Sequence, residues 1–241
     1  LSTSPSHASV LAYASQVQDH KLTYLFLGEL GNTPLRAVPL EAGSYLLVLR
    51  CRGHVVLAYP VQIQAGEHLD AASPGPESTL PLALPSALSE AERYVPAGWS
   101  LIGDPDPGTG ALPERRLFLP GFGMRARPLS PAELGLGAET PYDDLGFEDA
   151  VSLAAELADR TGQPWRLPTE LEWERAARGA DGRAYPGGPA RSLPLAHVED
   201  RSPFGLMDMG TGIAFVVVPE FERKMHEPMR LHHCCDFESI L

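Results

Sequence analysis

Near the C-terminus, "LHHCCDF" (Leu231–Phe237) sets two imidazoles, two thiols and a carboxylate side by side. His232, His233, Cys234, Cys235 and Asp236 are residue types that hold zinc or build a thiolate nucleophile. Their spacing argues against both. Successive side chains of an extended segment point to opposite faces, so His232 and Cys234 share one face while His233 and Cys235 share the other. Structural zinc sites use C-x2-C or H-x3-H spacings to bring two ligands onto one ion, and this cluster has neither. A Cys–His nucleophile pair finds no identifiable third group to orient its base. The expected catalytic set and the expected metal set are therefore both empty.

What must position such a tail is the rest of the 241 residues, enough chain for one large domain or two smaller ones. An apolar content of 44% with 21% charged residues describes a globular chain rather than a disordered one. The net charge of −12 argues against nucleic acid and anionic membranes as partners, because phosphate binding relies on clustered Lys and Arg. No apolar run approaches the roughly 20 residues that span a bilayer. The opening "LSTSPSHASV" has no basic and apolar signal-peptide pattern, and a start at Leu1 suggests trimming upstream. Three cysteines, two of them adjacent, make no disulfide framework, so a reducing cytoplasm is the default expectation. Two lysines against seventeen arginines, one asparagine (Asn32) and 24 prolines suit a thermophile; a GC-rich genome gives the same bias.

From Leu22 to Leu69, short runs rich in Leu, Val and Tyr alternate with "GNTP", "EAGS", "CRGH" and "QAGE". Residues 44–51 and 54–64 read as a hairpin with Arg52-Gly53 at its tip. The pattern predicts a small all-β sandwich, Ig-like, over residues 1–70, with a short helix around Val10–Gln18. The Pro-, Ser- and Ala-rich stretch 71–93 predicts an extended surface connector. Beyond it, "WSLIG" and "RRLFLPGFGMR" read as strands. Val151, Leu153, Ala154, Leu157 and Ala158 fall at helical spacing, ended by Gly162 and Pro164. Thr169 with Glu172 three residues on predicts a capping box for a second helix, reaching about Arg178 and burying Leu171 and Trp173. Pro168, Trp173 and the Arg-rich end of that helix are expected to anchor core and loops, and Trp165 to pack.

The blocks "YVPAGWSLIGDPD", "RLPTELEWERAARG" and "SPFGLMDM" resemble the formylglycine-generating-enzyme/sulfatase-modifying-factor family, over roughly residues 94–209. The resemblance implies an α+β chain, with a C-type-lectin-type domain over 94–241 preceded by the small β-sandwich. "TPLRAVPLEAGSYLLVLR" also resembles the module that precedes this domain in bacterial kinase-containing chains. No Gly-rich loop, H-R-D or D-F-G stands here, and the reading as a sensor module of a kinase-linked protein stays open.

After "DM" the chain departs from the family. Where the family reads A-G-N-V-W-E-W, this chain has "GTGIAFVV", with Gly212 at the Asn position and Phe215 at the Glu position. Calcium needs hard oxygen ligands that neither side chain supplies, so the resemblance implies that the family's calcium site is lost and no cofactor is expected. The family's enzymes bind copper through two separated cysteines. Cys234 and Cys235 invite that comparison, because Cu(I) favours thiolates, but adjacent residues diverge on a strand. A copper-dependent oxidase is the alternative reading.

Some lectin-fold proteins of this kind are diversified near the C-terminus by retroelements that mutate template adenines. Every residue of "GIAFVVV" and "LHHCCDF" lies within the set reachable from an Asn codon. The leading expectation is a non-enzymatic variable protein. It would recognise a protein or other macromolecular ligand through about 210–241, using Gly212, Ile213, Ala214, Phe215, Val217, Met225, His232, His233, Cys234, Cys235, Asp236 and Phe237. Aromatic, Met and polar side chains of this kind suit binding hot spots. The plain alternative is that Ile213–Val218 form a buried strand.

Overall fold

The structure, a computed structural model, describes residues 1–18, 21–68, 81–106, 108, 111–130, 132–133, 135, 146–188, 201–209 and 216–217. The first layer is a four-stranded antiparallel sheet in the order β3-β2-β4-β5, made of β2 (Ser9–Gln18), β3 (Lys21–Asn32), β4 (Gly43–Arg50) and β5 (Leu57–Ile63). Three cross-strand rows define its buried face: Val10–Leu49–Leu57, Ala12–Leu47–Tyr59 and Ala14–Tyr45–Val61. All but the half-buried Ala14 are at most 7% exposed. Among the described residues no second full sheet lies over this core. Instead β1 (Thr3–Ser4) pairs in parallel with β6 (Leu82–Ala83), bringing Leu82 and Leu84 into the same cluster.

Three expectations change here. The helix expected around Val10–Gln18 is strand β2. Val10, Leu11, Ala14 and Val17 fit a helical stripe on paper, but buried Val10 and Ala12 alternate with half-exposed Leu11 and Tyr13, which is period two. The hairpin β4–β5 has a longer connection than a two-residue tip. Val55 N–H donates to Pro85 O at 2.9 Å, holding 54–56 against the 81–93 stretch rather than against β4. That stretch is in turn no surface connector over its described residues, because it supplies β6, two core leucines and the start of β7.

The later region is built from β7 (Glu92–Val95), β8 (Gly98–Ile102), β9 (Arg115–Leu119), β10 (Phe122–Arg125), α1 (Phe147–Thr161), α2 (Glu170–Arg178) and β11 (Val216–Val217). β8 and β9 form one antiparallel pair, and β11-β10-β7 a three-stranded sheet. The mixture of strands with two helices is that of an α+β domain.

α1 starts where the Asp149 carboxylate accepts the Gly146 N–H at 3.0 Å, and ends at Gly162, whose N–H reaches Ala158 O. It buries Ala150, Leu153, Ala154 and Leu157, the last three in one cluster with Leu129 and Trp165, while Val151 turns outward. α2 carries the expected capping box. Thr169 Oγ1 accepts from Glu172 N–H at 3.2 Å, and the Glu172 carboxylate accepts from Thr169 N–H at 2.8 Å. Its buried residues are Glu172, Arg175, Ala176 and Ala177; Leu171 and Trp173 are only half-buried.

Candidate functional site

"SPFGLMDM" is the last continuous stretch described before β11, and its local physics fixes its shape. Ser202 is 4% exposed, and its hydroxyl accepts the N–H groups of Phe204 (3.3 Å) and Leu206 (3.2 Å). Ser202 N–H donates to Leu206 O at 2.8 Å, which closes a tight loop. Gly205 sits at φ 82°, a conformation other residues adopt at a cost of about 1 kcal/mol. The hook drives Phe204, Leu206 and Met209 into a cluster with Val95, Phe122, Met124, Ala176 and Ala177. Met207 N–H donates to Ala126 O at 2.9 Å, continuing the backbone contact beside β10.

Beneath the hook lies Arg175, fully buried on α2. Its guanidinium donates to Pro96 O, to Trp99 O at 3.1 Å and to Ser100 Oγ at 2.5 Å, and lies 5.7 Å from the Phe204 ring centroid. Ser100 Oγ passes the contact on by donating to Gly179 O at 2.8 Å. Burial pushes the guanidinium down to about 10, so it stays charged at neutral pH. Gly179, at φ 78°, lets Pro203 close on the helix end: a Cβ there would stand 2.9 Å from the Pro203 ring. One arginine and one glycine thus clamp the start of β8, the end of α2 and the hook.

Two further arginines pin the loops. Arg178 pairs with Glu174 and donates to Gly103 O (2.9 Å), Gly182 O (2.7 Å) and Arg183 O. Arg183 makes a bidentate contact with Asp181 at 2.8 Å on both arms and reaches the Tyr24 hydroxyl of β3 at 3.4 Å. Burial pulls the Arg183 guanidinium down, but the Asp181 contacts outweigh burial and hold it above its ordinary value. The Arg-rich end of α2 therefore anchors loops, as expected.

Of the expected contact residues, Val217 is the one the structure describes. β11 pairs antiparallel with β10, Val217 opposite Gly123 and Val216 opposite Met124. Gly212, Ile213, Ala214, Phe215, Met225, His232, His233, Cys234, Cys235, Asp236 and Phe237 lie outside the described residues. Cys51 is half-buried and packs against the first core. Among the described residues no three His, Cys, Asp or Glu side chains converge as metal ligands, and no helix is long and apolar enough to cross a membrane.

A groove where β5 meets β8 and β9, lined by residues including Tyr59, Trp99 and Arg116, holds about 10 Å³. That is room for about one water, too little for an organic ligand. Sequence reasoning missed Arg175 and Ser202 as individuals. A charged residue followed by two alanines on the buried side of a helix was the signal for the first; a lone serine gives none.

The mixed strands and helices of the later region, with loops pinned by side chains, make an α+β domain, compatible with a C-type lectin fold. Residues 123–203, about a third of the chain, match the family model of the sulfatase-modifying factor enzyme 1-like domain. No curated protein matches the chain.

Proposed function

We propose that this chain is a non-enzymatic ligand-binding protein, a lectin-fold scaffold whose C-terminal residues, from about 210 on, are diversified by a retroelement to recognise changing macromolecular ligands. The observation that carries the reading is the hook. In "SPFGLMDM" Ser202 caps the turn and Phe204, Leu206 and Met209 pack, and the departure from the resembled pattern begins directly after it. The one described stretch beyond it, β11, is held to β10 by backbone hydrogen bonds, which every residue type except proline can make. A rigid base with a side-chain-tolerant attachment is the arrangement on which recognition residues change without unfolding the domain.

The experiment is to sequence the gene and its flanks. The reading expects a near-repeat of the 3′ end, differing at adenines, beside a reverse transcriptase. A gene without such a repeat overturns it. Copper titration of the purified protein tests the oxidase alternative, which requires stoichiometric uptake lost in Cys234→Ser.

A further inference from the structure

We propose that the rim of the hook is an anion subsite, where Arg93 and Arg201 converge on Gly205 to take a phosphate group, free or as a monoester. Gly205 bears no side chain, and the point that a Cβ would occupy is ringed by guanidinium nitrogens. Arg201 Nη2 stands 3.4 Å from that point, Arg93 Nε 3.5 Å and Arg201 Nε 3.8 Å. Two cations thus share one open point. The Nε and Nη2 groups of Arg201 are the pair with which an arginine fork grips two oxygens at once.

Both arginines are framed by the fold and lack a counter-ion. Arg93 Nη1 donates to Glu90 O at 3.0 Å and to Glu92 O at 2.7 Å, which fixes the guanidinium while Nε keeps no acceptor among the described residues. Arg201 is exposed, its backbone bridges Met207, and the adjacent Ser202 caps the hook. Among the described residues neither guanidinium enters an ion pair, although acidic side chains outnumber Lys and Arg by 31 to 19. Neighbouring carboxylates are engaged elsewhere: Glu92 accepts from Ser89 N–H at 3.4 Å, and Asp208 pairs with Arg127 at 3.3 Å. Two like charges set close together repel, and an anion between them turns that repulsion into attraction.

Charge selects the ligand. A carboxylate carries one charge and is satisfied by one arginine fork. A phosphate monoester carries about −1.5 to −2 at pH 7 and offers three strong acceptor oxygens, which suits two guanidiniums around one point. The sheet sets the subsite beside the C-terminal region. Met124 of β10 stands opposite Arg93 on one side and opposite Val216 of β11 on the other, so those two backbones are about 10 Å apart. The subsite belongs to the scaffold and stands whether or not the residues after 210 are diversified.

The test is isothermal titration calorimetry of the full chain at low ionic strength with inorganic phosphate, glycerol 2-phosphate and acetate. Phosphate should bind saturably at a single site, and acetate at least about tenfold more weakly, since it brings one charge to two cations. Comparable binding of the ester identifies a monoester site; binding of inorganic phosphate alone identifies a free-anion site. Arg93→Gln and Arg201→Gln should each weaken phosphate binding at least about tenfold, through the loss of charged hydrogen bonds. Arg115→Gln, at the exposed start of β9, should leave it unchanged. Circular dichroism melting checks that the variants fold, and the exposed Arg201 carries the test alone should Arg93→Gln unfold. Absence of saturable binding overturns the proposal, as does acetate binding as tightly as phosphate. Phosphate binding that survives the substitutions in folded protein marks an adventitious ion only and overturns it too.

Discussion

The first sheet and the later region solve the same problem, satisfying the backbone, in opposite ways. In the sheet, β2, β4 and β5 satisfy one another through ladder hydrogen bonds, and the side chains are left to fill volume in aliphatic and tyrosine rows. In the later region the chain also runs through loops whose carbonyls find no ladder. Pro96, Gly103, Gly182 and Arg183 offer loop carbonyls, Trp99 offers one from β8, and arginines supply the donors. An arginine carries five N–H groups in a fixed fork, so one side chain can hold several strands of loop at once. Stability in the first region therefore rests on apolar area, and in the second the apolar clusters are joined by a few polar side chains that each hold several loops.

The largest effect that would sharpen this contrast is at Arg175. Replacing it by alanine leaves two buried carbonyls and a hydroxyl short of a donor and opens a cavity, at a cost of about 4 kcal/mol in denaturant unfolding. Arg175→Lys should recover less than half of that, because an ammonium does not span the three acceptors. Full recovery by lysine would break the comparison. Leu49→Ala in the sheet should cost about 3 kcal/mol through transfer and cavity terms alone, and Leu49→Met should recover most of it, since volume is what the row requires.

Removing the α2 cap by Thr169→Ala should lower stability by about 1 kcal/mol. The smallest effect is electrostatic. Arg116 holds the Glu67 carboxyl below its ordinary value of 4.5 through a side-chain hydrogen bond that outweighs partial burial. A carboxylate depressed in the folded state stabilises above its unfolded value and loses that contribution as pH falls through its folded value. The pair is part-exposed and contributes under about 1 kcal/mol. Urea midpoints at pH 7 and pH 4 should differ less for Glu67→Gln than for wild type, by that amount.

The sequence made the two helices legible because their signals are local: Thr169 with Glu172 for one start, Gly162 for one stop. It made the strands of the first sheet legible where alternation was clean, and misled at Val10–Gln18, where strand and helix periods overlap over a few residues. Leu82 and Leu84 were hidden in proline-rich text, because their burial depends on β1, some eighty residues away. The function of Arg175 was not legible, since its acceptors at Pro96, Trp99 and Ser100 lie between 75 and 79 residues back and no spacing rule connects them. That of Ser202 was not, because its partners Phe204 and Leu206 are close in sequence but a lone serine does not announce a turn.

The central claim is that the scaffold through Met209 carries the stability while the residues after it are free to change. The most direct measurement is thermal unfolding of variants randomised together at Phe215, Met225, His232, His233, Cys234 and Cys235. The account predicts cooperative transitions with midpoints within about 4 °C of wild type, equivalent to about 1 kcal/mol for a chain of this size. Loss of cooperative unfolding in most variants, as large as that caused by Arg175→Ala, would contradict it.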